Sequence, residues 1–305
     1  MTVHRPVTRA CAVALLALVV AGCGSGGGSA ANGSRLRVVA AENFWGSIAS
    51  QLAGSKATVT SIIVNPNTDP HSYDATPADA RAFAAARLAI VNGIGYDTWA
   101  PKVLAASPLA GRITLSVGGL LGLHAGDNPH QWYSPSSVTR VVGAIVADLT
   151  RLDPKDGGYF RARRRAFETT ALARYHALIT QIRARYGGVA VGYSESIFQP
   201  LGEALGLRLL TPYSFTKAIA EGTDVTAADK QTVDRQATRR LIKVWVFNSQ
   251  NVTPDVQRVN QLATAAGIPV ATVTETLAPA SASFEQWQVS ELERLQRALA
   301  RGTGR

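Results

Sequence analysis

One charged helical pattern runs from Asp153 to about Tyr186, opened by Asp-Pro and stopped by Gly187-Gly188. It is too long for an ordinary crossover between neighbouring strands, and it sits near the middle of the chain. On both sides of it, short β-branched runs alternate with helical segments, the pattern of an α/β fold. A strut between two α/β lobes with mainly parallel sheets is the architecture that fits. The expected boundaries are an N-terminal lobe over 36–152, a linking helix over 153–187 and a C-terminal lobe over 188–305.

In the first lobe, strands are expected at Leu36–Ala40, Thr58–Val64 and Leu88–Val91. Helices are expected from Asn43 to Leu52, after Thr76-Pro77-Ala-Asp79, near Asp97, and from Ser134-Pro135 to about Leu149. Thr or Ser as N-cap with Pro in the next position is a strong start signal. In the second lobe, strands are expected at Val189–Tyr193, Arg208–Leu210, Ile242–Phe247 and Val270–Val273. Helices are expected over Ser196–Leu205, Asp229–Arg240 and Thr253–Ala266, and from Phe284 onward. No solenoid-type repeat is present; the halves resemble each other only in architecture.

The first residues belong to targeting, not to the fold. Arg5 and Arg9 precede the apolar run Ala10–Val20, which is about half a membrane span. The run ends in Val20-Ala21-Gly22-Cys23, which resembles a bacterial lipobox. Residues 1–22 are then a lipoprotein signal, Cys23 carries lipid, and the Gly- and Ser-rich stretch 23–35 is a flexible tether. The expected location is the cell envelope, at the outer face of the cytoplasmic membrane. Cys11 leaves with the signal, so no internal disulfide and no thiolate metal site are expected. Stability must come from a core, which about 270 residues can supply.

The net charge is +10, with Arg outnumbering Lys 25 to 6. Apart from Arg161-Ala-Arg-Arg-Arg165, the arginines are scattered, and no nucleic-acid motif accompanies them. They read as a solvated basic surface facing an anionic envelope, and no nucleic-acid partner is expected.

The chain has five histidines, and two occur in matching settings. Asp69-Pro-His71-Ser-Tyr73 is echoed by Asn128-Pro-His130-Gln-Trp132, and a helix start follows each. Ligands of α/β sheets bind beyond the carboxyl ends of strands. Scanning those ends adds Glu195, two residues past Tyr193, and Glu275, two past Val273. Two imidazoles from one lobe and two carboxylates from the other make a credible set for a first-row divalent metal. Each has a plainer reading. A Pro-His turn is often only a turn, Glu195 could be a carboxylate favoured by a helix N-terminus, and Glu275 could be an exposed loop residue. His124 suits a surface loop, although an extra ligand or entry-path role is open to it. His176 lies on the strut, and His4 is lost with the signal.

From these motifs the chain resembles the solute-binding lipoproteins of zinc/manganese ABC importers, the ZnuA/TroA-like family. The matching stretches include the two Pro-His motifs, Thr76-Pro-Ala-Asp79 and Asn92-Gly93 to Trp99. They continue with Ser194-Glu195-Ser-Ile-Phe198, Phe247-Asn248-Ser-Gln250 and Gly267-Ile-Pro-Val270 leading to Thr274-Glu275-Thr276. The resemblance implies two lobes joined by one rigid helix, with the metal in the cleft between them. It implies His71, His130 and Glu195 as ligands, with Glu275 as the fourth. Glu275 lies two residues earlier than the family's usual carboxylate, and its Phe-Thr-Asp-Ser setting is absent, as is the His-rich loop of many zinc-specific members. The transported ligand would be one divalent ion, Zn2+ or Mn2+. The partners would be an ABC permease with its cytoplasmic ATPase, and the chain would act as a monomer without turnover.

Other classes leave weaker marks. Gly192-Tyr-Ser194-Glu-Ser196 nearly spells the nucleophile elbow of α/β-hydrolases, but no His follows it. A lipid-anchored metal-dependent hydrolase would also use His and Glu; H-E-x-x-H is absent. An adhesin or scaffold would not need four potential ligands at strand ends. Binding by the capture protein is expected to fade towards about pH 5 to 6 as the His ligands gain protons.

Overall fold

Along the strand β1 (Leu36–Glu42), Val38 and Ala40 turn to one hydrophobic core while Val39 and Ala41 turn to another. A strand apolar on both faces belongs inside a parallel sheet covered on both sides. β1 accordingly pairs in parallel with β2 (Ala57–Ile63) and β3 (Leu88–Val91), and β3 with β4 (Ile113–Ser116). The second sheet comprises β5 (Ala190–Tyr193), β6 (Arg208–Leu209), β7 (Val244–Asn248) and β8 (Val270–Val273), again all parallel. The orders are β2-β1-β3-β4 and β6-β5-β7-β8, the same topology twice. The protein therefore consists of two α/β lobes.

The computed structural model describes residues 1–4 and 35–305, and 35–305 form one compact unit. Cys23, almost all of the expected signal and nearly all of the tether lie outside the described residues. No helix among the described residues is long and apolar enough to cross a membrane.

The helix starts follow the capping chemistry of the sequence. Thr76 and Asp79 form a reciprocal capping box ahead of the helix Pro77–Ala85, and Ser134 caps Pro135–Leu152 with Pro in the first turn. Ser283 and Gln286 do the same for Phe284–Thr303. Three elements were not expected: β4, the short helix Val117–Leu121 and the helix Tyr213–Ala220. Each is eight residues or shorter, and the first two are only four and five residues long, too short for a period to show.

The strut departs from a single helix opening at Asp153. A 3-10 turn occupies Pro154–Asp156, the α-helix opens at Gly157 and runs to Ala166, a π turn covers Phe167–Ala171, and α-helix resumes from Ala173 to Tyr186. Its buried face, including Phe160, Tyr175, Leu178 and Ile182, joins one core that reaches the inner faces of both sheets. The last helix, Phe284–Thr303, packs on both the strut and β8. Three bonds tie this end of the chain to the first helix of the first lobe, Asn43–Ala53. Leu277 N donates to Asn43 Oδ1 (3.3 Å), Phe284 N donates to Ser47 Oγ (2.9 Å) and Gln51 Nε2 donates to Glu285 Oε2 (2.8 Å). These contacts tie the lobes together.

Candidate metal centre

The two Pro-His motifs are the same local device. Asp69 caps the 3-10 turn Pro70–Ser72, its carboxylate accepting from His71 N (2.9 Å) and Ser72 Oγ (3.0 Å). Asn128 Oδ1 accepts from His130 N at 3.1 Å, the same two-residue spacing. In both, an Asx side chain bonds its own backbone two residues on, which fixes where the imidazole leaves the chain.

Asn128 does more. Its Nδ2 donates to the Ser196 carbonyl across the lobes (2.7 Å), which sets the amide so that Oδ1 faces His130 Nδ1 at 2.7 Å. The His130 Nδ1–H then donates to Asn128, and Nε2 carries the free lone pair. His130 is fully buried, and its Nε2 has no hydrogen-bond partner among the described residues. His71 is half-buried and its Nε2 is likewise unpartnered. Tyr96 packs edge-on to His71 with 4.6 Å between ring centroids, and lies 6.0 Å from His130.

From the second lobe, Glu195 follows β5. Its Oε2 accepts from Asn248 Nδ2 (2.9 Å) and Asn251 Nδ2 (3.2 Å), so only Oε1 faces the cleft, 3.9 Å from His130 Nε2. Ser194, the would-be nucleophile, is buried, and its Oγ accepts from Asn248 N at 3.1 Å, pinning β5 to β7. Glu275 follows β8. Gln250 Oε1 accepts from Glu275 N (2.7 Å) and Thr276 N (3.0 Å), which holds the loop. Glu275 Oε1 lies 3.4 Å from His130 Nε2 and 4.0 Å from His71 Nε2, while Oε2 has no partner.

All four expected residues therefore meet at one place. One ligand atom each from His71, His130 and Glu275 lies within 4.8 Å of the others, with Glu195 reaching the group through His130. His124 stays on the surface, its backbone N–H donating to Asp127, and His176 is exposed on the strut. The residues given no role in advance are Tyr96, Asn248, Gln250 and Asn251; amides after a strand carry no recognisable spacing.

The charges explain why so many polar atoms converge. Burial lowers the His130 pKa to about 4, against the pull of Glu195, and lowers that of His71. Burial pushes Glu195 up to about 8, with Glu275 adding repulsion and His130 and the two amides opposing. Burial pushes Glu275 up to about 8 too, with His71 opposing it. Two neutral imidazoles and two carboxyls that burial discourages from ionising are a donor set whose charged forms a cation would favour. Burial thus disfavours the charged form of both imidazoles and both carboxyls. A cavity of about 480 Å³ opens at the cluster, lined by His71 and its turn, Glu275, the end of the helix Tyr213–Ala220 with Glu221 and Gly222, and Asn248, Gln250 and Asn251.

The model of the family described as zinc-uptake complex component A, periplasmic, matches residues 38–298. The manganese-binding lipoprotein MntA of Halalkalibacterium halodurans is 27% identical over 201 residues, 64% of this chain and 66% of that protein. The manganese ABC transporter substrate-binding lipoprotein PsaA of Streptococcus mitis is 37% identical over 84 residues, 28% of this chain and 27% of that one. The matches thus span two thirds or less of these relatives. The Mn-bound periplasmic metal binding protein of Candidatus Liberibacter asiaticus superposes with a TM-score of 0.73 at 21% identity, over 87% of this chain and 100% of that one. The periplasmic zinc binding protein TroA of Treponema pallidum gives 0.73 at 17% identity, over 87% and 99%. These two show the same fold. With the family model covering nearly all of the described unit, the chain belongs to the zinc-uptake complex component A (ZnuA) family.

Proposed function

We propose that the protein captures one divalent transition-metal ion, Zn2+ or Mn2+, outside the cytoplasm and delivers it to the permease of an ABC importer driven by a cytoplasmic ATPase. His71 and His130 Nε2, Glu195 Oε1 and Glu275 are the ligands in this reading. The observation that carries it is the bare Nε2 of fully buried His130, within 3.4 Å of Glu275 Oε1 and 3.9 Å of Glu195 Oε1. A buried lone pair facing two carboxyls has no other partner to satisfy it. The two carboxylates offset the ion's charge, and the imidazoles suit a borderline metal. The relatives named for manganese and the family named for zinc support this substrate class.

The protein works as a monomer that binds without turnover, held to the outer face of the cytoplasmic membrane by lipid on Cys23. Metal content after purification without chelators, followed by titration of stripped protein, tests the capture reading. One ion per chain is expected; no stoichiometric binding of either ion would overturn it. Cys23→Ser tests the anchor: the variant should leave the membrane fraction or stay unprocessed, and a variant still cut and lipid-labelled would refute anchoring there.

A further inference from the structure

Glu291, on the helix Phe284–Thr303, is a carboxylate only 2% exposed that lies outside the ligand set. Trp287 Nε1 donates towards its Oε1 (3.0 Å) and towards Thr274 Oγ1 (2.7 Å), and Thr274 Oγ1 lies 3.0 Å from the same Oε1. Tyr133 completes the group from the other lobe. Its Oη lies 2.5 Å from Glu291 Oε2 and 2.9 Å from the Thr274 carbonyl. All four residues are buried.

The positions in the chain are what matter. Tyr133 ends the 3-10 turn Gln131–Tyr133 that immediately follows His130. The Thr274 carbonyl belongs to the peptide whose nitrogen is that of Glu275. The group therefore links the turn of one metal-facing residue to the loop of another across the lobe boundary. Hydrogen-bond satisfaction of a buried Trp does not require this, because Thr274 and Glu291 already accept from Trp287 without Tyr133.

Resting on the metal-capture reading, we infer that Tyr133 and Glu291 are positioning residues: a cross-lobe latch that holds the Glu275 loop where it can share one ion with His130. Burial pushes the Glu291 pKa up to about 7, and Arg294 is the cation nearest it (3.7 Å). The link survives either protonation state. Protonated Glu291 donates to Tyr133 Oη, whose own proton goes to the Thr274 carbonyl; ionised Glu291 accepts the tyrosine proton, and the link to the Glu275 loop is then the Thr274 N–H donating to Tyr133 Oη (3.3 Å).

The test is a set of variants of the full chain titrated with Zn2+ and with Mn2+. Tyr133→Phe keeps the ring and loses only the hydroxyl. It should still bind one ion, but with affinity lowered about tenfold or more and faster dissociation, the scale of losing an outer-sphere partner. Glu291→Gln can still donate and accept, and should stay within a few-fold of wild type. In a Glu275→Gln background, Tyr133→Phe should cost little more, because the latch acts through Glu275. A purely structural role would lower thermal stability equally in both backgrounds and leave wild-type affinity intact. Wild-type binding with Tyr133→Phe just as tight and just as slow to release would overturn the latch alone. A wild type that binds neither ion would instead overturn the capture reading, and the latch with it.

Discussion

His130 Nε2 and Glu275 Oε1 stand 3.4 Å apart, although one hangs from the first lobe and the other from the second. At that separation the pair is either a hydrogen-bond partnership or two ligands waiting for the same ion. Burial favours the neutral form of each, so mutual attraction of charges is not what brings them together. A protonated Glu275 donating to the imidazole would satisfy this pair alone; the proposed ion between them would also use Glu195 Oε1, 3.9 Å from the same Nε2.

On the capture reading, removing any one of these residues should cost coordination and leave packing intact. His71→Ala, His130→Ala and Glu275→Gln should each weaken binding of both ions by at least about tenfold, roughly 1.4 kcal/mol. His124→Ala and His176→Ala should leave it within about twofold, since both side chains are on the surface. Calorimetric titration of the five variants checks this; equal losses across all five would mean the cluster is not the binding site.

Much of this centre was legible in the sequence because its residues sit on recurring local devices. Asp69 and Asn128 are Asx caps two residues before His71 and His130, and a cap is visible as a motif. Glu195 and Glu275 follow strands whose β-branched runs are equally visible. The amides of Asn248, Gln250 and Asn251 were not legible, because their task is set by which loop faces them after folding. The strand β4 is harder to see: Ile113-Thr-Leu-Ser116 alternates, but over only four residues, and its place in the sheet is set by its parallel pairing with β3. The π turn at Phe167–Ala171 has no sequence mark against the helical period on either side.

Stability can be separated from binding at the far end of the second sheet's strands. A Cβ on Gly302 would come 2.1 Å from the carbonyl oxygen of Lys243, just before β7 begins, whereas the site lies past the other end of that strand. Backbone cannot swing aside as a side-chain tip can. Gly302→Ala should therefore destabilise the protein by about 1–3 kcal/mol while leaving metal affinity unchanged. Chemical denaturation of the metal-free protein, paired with a binding titration, reads the two effects separately.

The pH dependence follows from the carboxyls. With folded-state pKa values near 8, above the ordinary Glu range, Glu195 and Glu275 bind more protons in the metal-free fold than in the unfolded chain between about pH 4.5 and 8; His130 and His71, lowered by burial, oppose them below about pH 6.5, so the carboxyls act unopposed from about pH 6.5 to 8. Stability of the metal-free fold should thus fall as pH rises from about 6.5 to 8. The ion must displace those protons, so apparent affinity and the metal-induced rise in Tm should both grow from about pH 6 to 8, with proton release on binding. Melting curves with and without metal across that range decide the matter. An affinity flat above pH 6 would point back to histidine protonation as the only competitor.

The last prediction concerns how Glu195 is presented. Two amide N–H groups, from Asn248 and Asn251, occupy its Oε2 and leave a single oxygen for the ion. Glu275 has no such restraint, and its Oε2 is free. The ligand set is thereby biased towards a low coordination number, which Zn2+ accepts more readily than Mn2+ does. Asn251→Ala removes one of the two donors, so Glu195 can rotate and offer both oxygens. Zn2+ affinity should fall about tenfold, the lower end of what outer-sphere partners contribute. Mn2+ should lose less, because a second carboxylate oxygen is worth more to an ion that takes more ligands. Competition between the two ions for wild type and variant measures that ratio directly. If Zn2+ and Mn2+ weaken in equal proportion, the amides only stiffen Glu195 and do not select the ion.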